Sequence, residues 1–225
     1  MKAFSIVARW LFTLCIIPLL IAGSIALAIN SQWFYEYGFK KYGVSQTTGI
    51  ASPELKQAAA GLISYFNSGK EPINVIVIKD GKPFSLFNQK EIIHLKDVKD
   101  LFWLDYRVLG LTLFYALLYA IVMLFWRRER RQLAKAALYG SGLTLLLIVL
   151  VGIGAFVNFD WLFLQFHLLS FTNNFWALDP NKDYLIMLFP GGFWFDVVVY
   201  ILALVVGGAI IIGGTSWIYL KKART

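Results

Sequence analysis

Four apolar runs, each long enough to cross a bilayer, constrain this chain more tightly than any motif in it. A helical crossing takes about 20 residues. The runs are Trp10–Ile29, Leu104–Trp126 (strongly apolar from Leu109), Leu138–Val157 and Phe195–Leu220. Lipid offers no partner for a free N–H or C=O, so such runs form helices that bond their own backbone. The expected fold class is an α-helical integral membrane protein with four transmembrane helices. A mean hydropathy of +0.65 agrees, being too high for an ordinary soluble domain. Ala26-Leu27-Ala28 resembles a signal-peptide cleavage site. The run before it exceeds a typical signal-peptide core, and its removal would leave an odd number of spans, so it reads as a retained first span.

Lys and Arg positions set the orientation. Lys2 and Arg9 precede the first span, the connection 127–137 carries Arg127, Arg128, Arg130, Arg131 and Lys135, and Lys221, Lys222 and Arg224 follow the fourth. Those ten cations face a single acid, Glu129, whereas the loops Asn30–Trp103 and Asn158–Trp194 hold ten Lys against ten Asp and Glu. Both termini are therefore expected in the cytoplasm and both large loops outside. The net charge of +8 is a topology signal. Nucleic acid is not an expected partner.

The first loop reads as a small α+β head. Ser31–Tyr42 is aromatic and of mixed charge, as befits a segment returning along the membrane surface. Ser52 as N-cap and Pro53 at the first helical position open a helix that stops at Asn67-Ser68-Gly69. Ile73–Ile78 reads as a buried strand, Asp80-Gly81 as a hairpin turn and Phe84–Phe87 as the returning strand. The stretch Phe87–Asp100 then predicts a short polar helix, with Asn88 as cap and Glu91 closing a capping box. At helical pitch, Leu95, Val98, Leu101 and Phe102 share one apolar arc, and His94 falls inside it. In the second loop, Phe156–Phe175 is rich in Phe and Trp and predicts an interfacial helix capped by Asp160. A polar turn at Asn181-Lys182-Asp183 and a break at Pro190-Gly191-Gly192 lead into the fourth span.

The chain has two histidines, His94 and His167, and the predicted topology puts both on the outer side. His94 fits either a satisfied structural histidine or a neutral base at pH 7. Glu91 and Asp97, three residues to either side, are spaced to fix its tautomer. Lys96, Lys99 and Asp100 read as a solvated face, and His167, among apolar neighbours, reads as an interfacial anchor or as part of a shared site. Cys15 is the one cysteine, which excludes a disulfide, a thiol relay and a cysteine metal site. The sequence holds no zinc spacing, no G-x-S-x-G elbow and no P-loop, so neither metal nor cofactor is expected. The span interiors lack ionisable groups that would couple ion transport, and Asp105, Arg107 and Asp196 read as span-end residues explained by snorkelling and capping.

FNQKEIIHLKDVKD, followed after one span pair by FHLLSFTNNFWALDPNKDYLIMLFPGGFWFD, resembles the bacterial lipoprotein intramolecular transacylase family over essentially the whole chain. That resemblance implies a four-span enzyme of the bacterial cytoplasmic membrane with its active site on the extracytoplasmic side. The implied substrate is a diacylglyceryl-modified lipoprotein. The sn-2 acyl chain would move to the α-amine of its N-terminal cysteine, giving the lyso-form lipoprotein without cofactor or ATP. By resemblance His94 and His167 are catalytic, with His94 as the base and His167 orienting substrate or stabilising the oxyanion, roles that are interchangeable at this stage. Asn88, Glu91, Asp97, Asn173, Asn174, Trp176 and Asp179 are candidates for support, the asparagines as oxyanion donors. Phe163, Phe166, Phe171 and Trp176 would hold acyl chains. Membrane lipids are the other expected partners, with no obligate protein partner. The competing readings are a non-catalytic lipid- or lipoprotein-binding membrane protein and a subunit of a larger assembly.

Overall fold

A computed structural model of the protein describes residues 2–223, with side chains from Ser5 onward. The Lys2 side chain and Arg224, both used above for orientation, lie outside the described residues. The elements in order are α1 (Lys2–Ile29), α2 (Gln32–Lys41), α3 (Val44–Thr48), α4 (Ser52–Phe66), β1 (Ile76–Lys79), β2 (Lys82–Ser85), α5 (Gln89–Ile121), α6 (Arg130–Val157), α7 (Phe159–Ser170), α8 (Tyr184–Leu188) and α9 (Gly191–Lys222). A π-helical turn, Val122–Trp126, ends α5. Four helices are long and apolar enough to cross a membrane: Ser5–Ile29, Gln89–Trp126, Arg130–Val157 and Gly191–Lys222. The chain is a multi-pass membrane protein. It divides into two compact units, the first made of α1 to Ala26, Asp105–Phe156 and α9 from Val199, the second of Leu27–Leu104 and Val157–Val198.

The first unit is a bundle of helices packed through small residues. Phe12 and Ile16 of α1, Ala116, Tyr119 and Met123 of the second long helix, and Ala136 and Ala137 of α6 form one buried cluster. Phe12 and Tyr119 stack with centroids 4.6 Å apart. Leu111, Phe114, Leu146, Ile153, Ile210 and Ile211 are exposed, the apolar exterior that lipid solvates. Helices in lipid gain nothing from leaving water, so close approach holds them together. Gly140 shows how close: a Cβ there would lie 2.6 Å from the Thr13 carbonyl oxygen and 2.7 Å from Ile16 Cδ1. The basic connection is tighter than 127–137, because α6 starts at Arg130 and carries Arg130, Arg131 and Lys135 in its first turns. The turn closes through Glu129 N–H to the Met123 carbonyl at 2.9 Å.

The second unit contains the α+β segment. Asp80 and Gly81 both have positive φ (52° and 73°), as a type I′ hairpin requires. Ile76 pairs with Ser85 and Val77 with Phe84. The ladder is shorter than predicted, but Ile73, Val75 and Val77 alternate inward as a half-buried strand should. Helix α4 is capped one residue earlier than expected: Ala51 is extended at φ −65°, ψ 147°, and Ser52 is already helical. The Ala51 carbonyl accepts from both Glu54 N–H and Leu55 N–H, which fixes that start. Glu54 in turn accepts from Ile78 N–H at 2.7 Å and ties α4 to the hairpin.

Four further expectations are corrected here. The Phe87–Asp100 segment does not form a separate short helix, since Leu101-Phe102-Trp103-Leu104 contains no breaker and α5 runs unbroken for 33 residues. That is about 50 Å of helix against about 30 Å of hydrocarbon, so its polar first turns, His94 included, stand outside the lipid. Lys99 is buried: Nζ donates to the Lys70 carbonyl at 2.7 Å and to Glu71 at 3.0 Å, and lies 4.1 Å over the Tyr65 ring. Asn158, one residue before the helical part, caps α7 through Trp161 N–H at 2.9 Å, displacing Asp160 from that role. Asp196 accepts from Lys41 Nζ at 2.6 Å and from the Tyr42 hydroxyl at 2.9 Å, so it anchors the end of α2 and does not snorkel. Beside it, Gly38 of α2 leaves room for Phe193, whose ring would lie 2.3 Å from any added Cβ.

Gly140→Ala should lower stability in detergent by about 1–3 kcal/mol, the usual cost of forcing a methyl into a filled contact. The check is thermal unfolding of the purified protein, with Gly142→Ala as control because nothing lies within 4 Å of a Cβ there.

Candidate active site

Asn88 and Glu91 build the start of α5. The Asn88 side-chain oxygen accepts from Lys90 N–H at 3.0 Å and Glu91 N–H at 3.2 Å, and Glu91 Oε2 accepts from Asn88 N–H at 2.7 Å. This is the capping box read from the sequence. One turn on, His94 and Leu95 point inward and are buried, while Lys96 and Asp100 face outward. On the other loop, α7 places His167 one turn after Phe163.

The two imidazoles meet. Their ring centroids are 6.1 Å apart with planes inclined at 31°. His94 is 7% exposed and His167 8%. Phe171 lies against both, 5.1 Å from His94 and 5.6 Å from His167. Phe163 at 4.4 Å, Trp176 at 5.0 Å and Phe166 at 5.4 Å complete the surroundings of His167. The aromatic residues expected to hold acyl chains therefore also wall in the histidines.

The rings differ in what holds them. His167 Nδ1 lies 2.7 Å from the Phe163 carbonyl oxygen. A carbonyl only accepts, so Nδ1 carries the proton and Nε2 keeps a lone pair. His94 Nδ1 is buried with no hydrogen-bond partner among the described residues. Burial lowers the His94 pKa to about 4, helped by the neighbouring His167 and opposed by Asp97. Burial also lowers that of His167, against the bond to Phe163 that favours its charged form. Burial thus favours the neutral form of both rings.

The supporting candidates separate into those near the pair and those that build its frame. Glu91 and Asp97 do not bond His94, contrary to the spacing argument. Glu91 is spent on backbone N–H groups, of Asn88 and of Leu185 in α8 at 2.6 Å. Asp97 Oδ2 accepts from Asn173 Nδ2 at 2.8 Å, which pins the chain just after α7. Asn173 Oδ1 accepts from Phe175 N–H at 3.0 Å, so that side chain is engaged at both ends. Asn88 Nδ2 donates to Asp183 at 2.8 Å. Asn174 is exposed, and Trp176 stands beside His167. Asp179 organises a turn, accepting from Asn181 N–H at 2.9 Å and pairing with Lys182 at 3.6 Å. Among the described residues no three His, Cys, Asp or Glu side chains cluster as a metal set would.

Sequence reasoning missed two residues of this frame. Asp183, nearly fully buried, caps the region through Asp179 N–H at 2.7 Å, yet its position in a polar turn resembled a solvated loop. Lys90 donates to the Ala177 carbonyl and lies 3.8 Å from Asp183. Nothing in its local sequence distinguishes it from other surface lysines.

Residues 10–194 match the family described as lipoprotein intramolecular transacylase Lit. A protein of Aquifex aeolicus (strain VF5) with no assigned function is 26% identical over 199 residues, 85% of each chain. The fold is similar to the crystallised membrane-integral lipoprotein intramolecular transacylase Lit from Bacillus cereus, with TM-score 0.85 and 22% identity over 100% of this chain and 99% of that one. A variant of that protein with one histidine replaced by arginine gives TM-score 0.81 and 21% identity over 99% and 95%. The structural likeness speaks for the fold and the match over residues 10–194 for the membership: this chain belongs to the lipoprotein intramolecular transacylase (Lit) family.

Proposed function

We propose that His94 and His167 together carry an O-to-N acyl transfer within one lipoprotein molecule. The chain is a lipoprotein intramolecular transacylase, a transferase integral to the membrane. The finer reading is that the sn-2 acyl chain of a diacylglyceryl cysteine moves to its α-amine, on the extracytoplasmic side, with both termini in the cytoplasm. The observation that carries the reading is the meeting of two buried, neutral imidazoles from separate loops, 6.1 Å apart.

The chemistry needs little else. The α-amine nitrogen attacks the ester carbonyl carbon, and the nitrogen sheds a proton as the tetrahedral intermediate forms. That intermediate collapses by breaking the bond to the glyceryl oxygen, which takes a proton and leaves as a secondary alcohol. The products are an amide and a lyso-glyceryl chain, so no atom enters or departs. An ester-to-amide exchange runs downhill. Nucleophile and ester share one molecule, and effective molarities for such reactions reach about 10⁵ M or more.

Geometry favours His167 as the base over the reverse assignment anticipated from sequence. Its Nδ1–H is committed to the Phe163 carbonyl, which leaves Nε2 unprotonated and supports the ring as it gains charge. His94, driven to a pKa of about 4, is the weaker base. Its unpartnered nitrogen suits a hydrogen bond with the substrate. In its neutral form that ring can donate from one nitrogen to the oxyanion while accepting at the other. The frame residues Asn88, Glu91, Asp97, Asn173 and Asp179 then act by holding loops, and Asn174 and Trp176 border the substrate. Membrane lipids surround the acyl chains and no protein partner is required.

Two measurements test this. Because the protein has only two histidines, [15N]histidine NMR resolves both. One ring should show the Nδ1–H tautomer, and both should titrate below an ordinary histidine, since burial lowers both pKa values. A ring that becomes charged above pH 6.5 contradicts the assignment. For activity, the purified protein is incubated with a synthetic diacylglyceryl lipopeptide bearing a free amine, and the product is fragmented by tandem mass spectrometry. Intact mass should not change while one acyl group appears on nitrogen, and His94→Ala or His167→Ala should each slow transfer about 10²–10⁴-fold. A mass gain of one acyl group would mean an intermolecular donor.

A further inference from the structure

Glu91 is fully buried, and the acyl-transfer steps do not use it. Its two oxygens are divided between two loops: Oε2 takes Asn88 N–H at the start of α5, and Oε1 takes Leu185 N–H in the first turn of α8. Around it, Asp183 accepts from Asn88 Nδ2 at 2.8 Å and from Asp179 N–H at 2.7 Å. Lys90 closes the group, lying 3.8 Å from Asp183 and donating to the Ala177 carbonyl. Ala177 follows Trp176, whose ring stands 5.0 Å from His167. Three bonds from one helical turn, at Asn88, Lys90 and Glu91, thus run from the helix that carries His94 to the chain segment that walls His167.

We propose that Glu91 is a positioning residue, the centre of a buried clasp with Asn88, Lys90 and Asp183 that sets the separation of His94 and His167 during catalysis. The inference rests on the acyl-transfer reading, which gives that separation its importance. Two carboxylates held this close in a dry setting repel each other, and burial together with the Asp183 charge raises the Glu91 pKa against the pull of its backbone bonds. Apolar side chains of equal volume would fill the same space more cheaply. Directional bonds do what packing does not: each N–H that Glu91 accepts fixes one loop end in both distance and angle. Near-attack geometry tolerates little error, since a displacement of about 1 Å from the productive arrangement can cost about 100-fold in rate.

The test is Glu91→Gln, which keeps the shape but turns an amide N–H toward one of the two backbone donors. Positioning predicts kcat about 10- to 100-fold lower with KM within about 3-fold, together with shifted [15N]histidine ring signals for both His94 and His167. A lowered Tm with kcat per folded molecule and both ring signals unchanged would overturn it. Should Glu91→Gln fail to fold, Lys90→Met is the second probe, because Lys90 is part-exposed and its loss leaves both buried carboxylates in place. Reduced kcat with moved ring signals supports the clasp, and unchanged values reject it. Wild-type protein in the same assay separates the two claims. Absent transfer there refutes the acyl-transfer reading, while the ring signals of the variants still report on the clasp.

Discussion

Desolvation of two imidazoles is the constraint on which the rest of this site depends. A histidine in water near pH 7 is partly protonated. Enclosed by Phe163, Phe166, Phe171 and Trp176, the pair is poorly placed to hold a cation, and His167 further resists the charging of His94. A carboxylate bonded to either ring would reverse that by favouring imidazolium. Both nearby acids of α5 are diverted instead, Glu91 to backbone N–H groups and Asp97 to Asn173. Diversion of the acids and aromatic enclosure are two halves of one arrangement, which favours the neutral form of both rings in a chain full of charged loops.

The two rings nevertheless part company through one hydrogen bond. The Phe163 carbonyl lies one turn before His167 in α7 and meets Nδ1 at 2.7 Å, as helical pitch allows. That bond settles which nitrogen of His167 is free and partly offsets the cost of charging it. His94 has no such support at Nδ1 and is held lower. Environments that push the pKa values of two like groups apart allow one residue type to serve two roles in a site.

Much of this was legible in the sequence, and the failures have physical causes. Four spans, the Asp80-Gly81 hairpin and the Asn88–Glu91 capping box follow from local periodicity or local hydrogen-bonding chemistry, whereas pairing His94 with His167 drew on their shared predicted side and on the family resemblance. The errors arise where a residue's fate is decided at long range. Lys99 looks solvated from its neighbours, yet Lys70, Glu71 and Tyr65, all remote in sequence, reach it. Asp196 looked like a span-end acid until α2 brought Lys41 and Tyr42 to it. Helical spacing places Glu91 and Asp97 within reach of His94, yet N–H groups of Asn88, Leu185 and Asn173 take both acids.

Helix α5 writes the His94 segment and a membrane-crossing stretch into one element. A short helix ending at Asp100 would need its own C-cap and a linker, and each would add a loop end able to drift. By continuing through Leu101–Leu104 for 33 residues, the chain avoids both. The first turns then offer Asn88, Lys90, Glu91 and Asp97 as fixed points, each spent on the second loop. An enzyme whose substrate supplies both nucleophile and ester has little bond-making machinery to provide. A helix bonded at four points to the second loop holds His94 and His167 at one spacing with few residues.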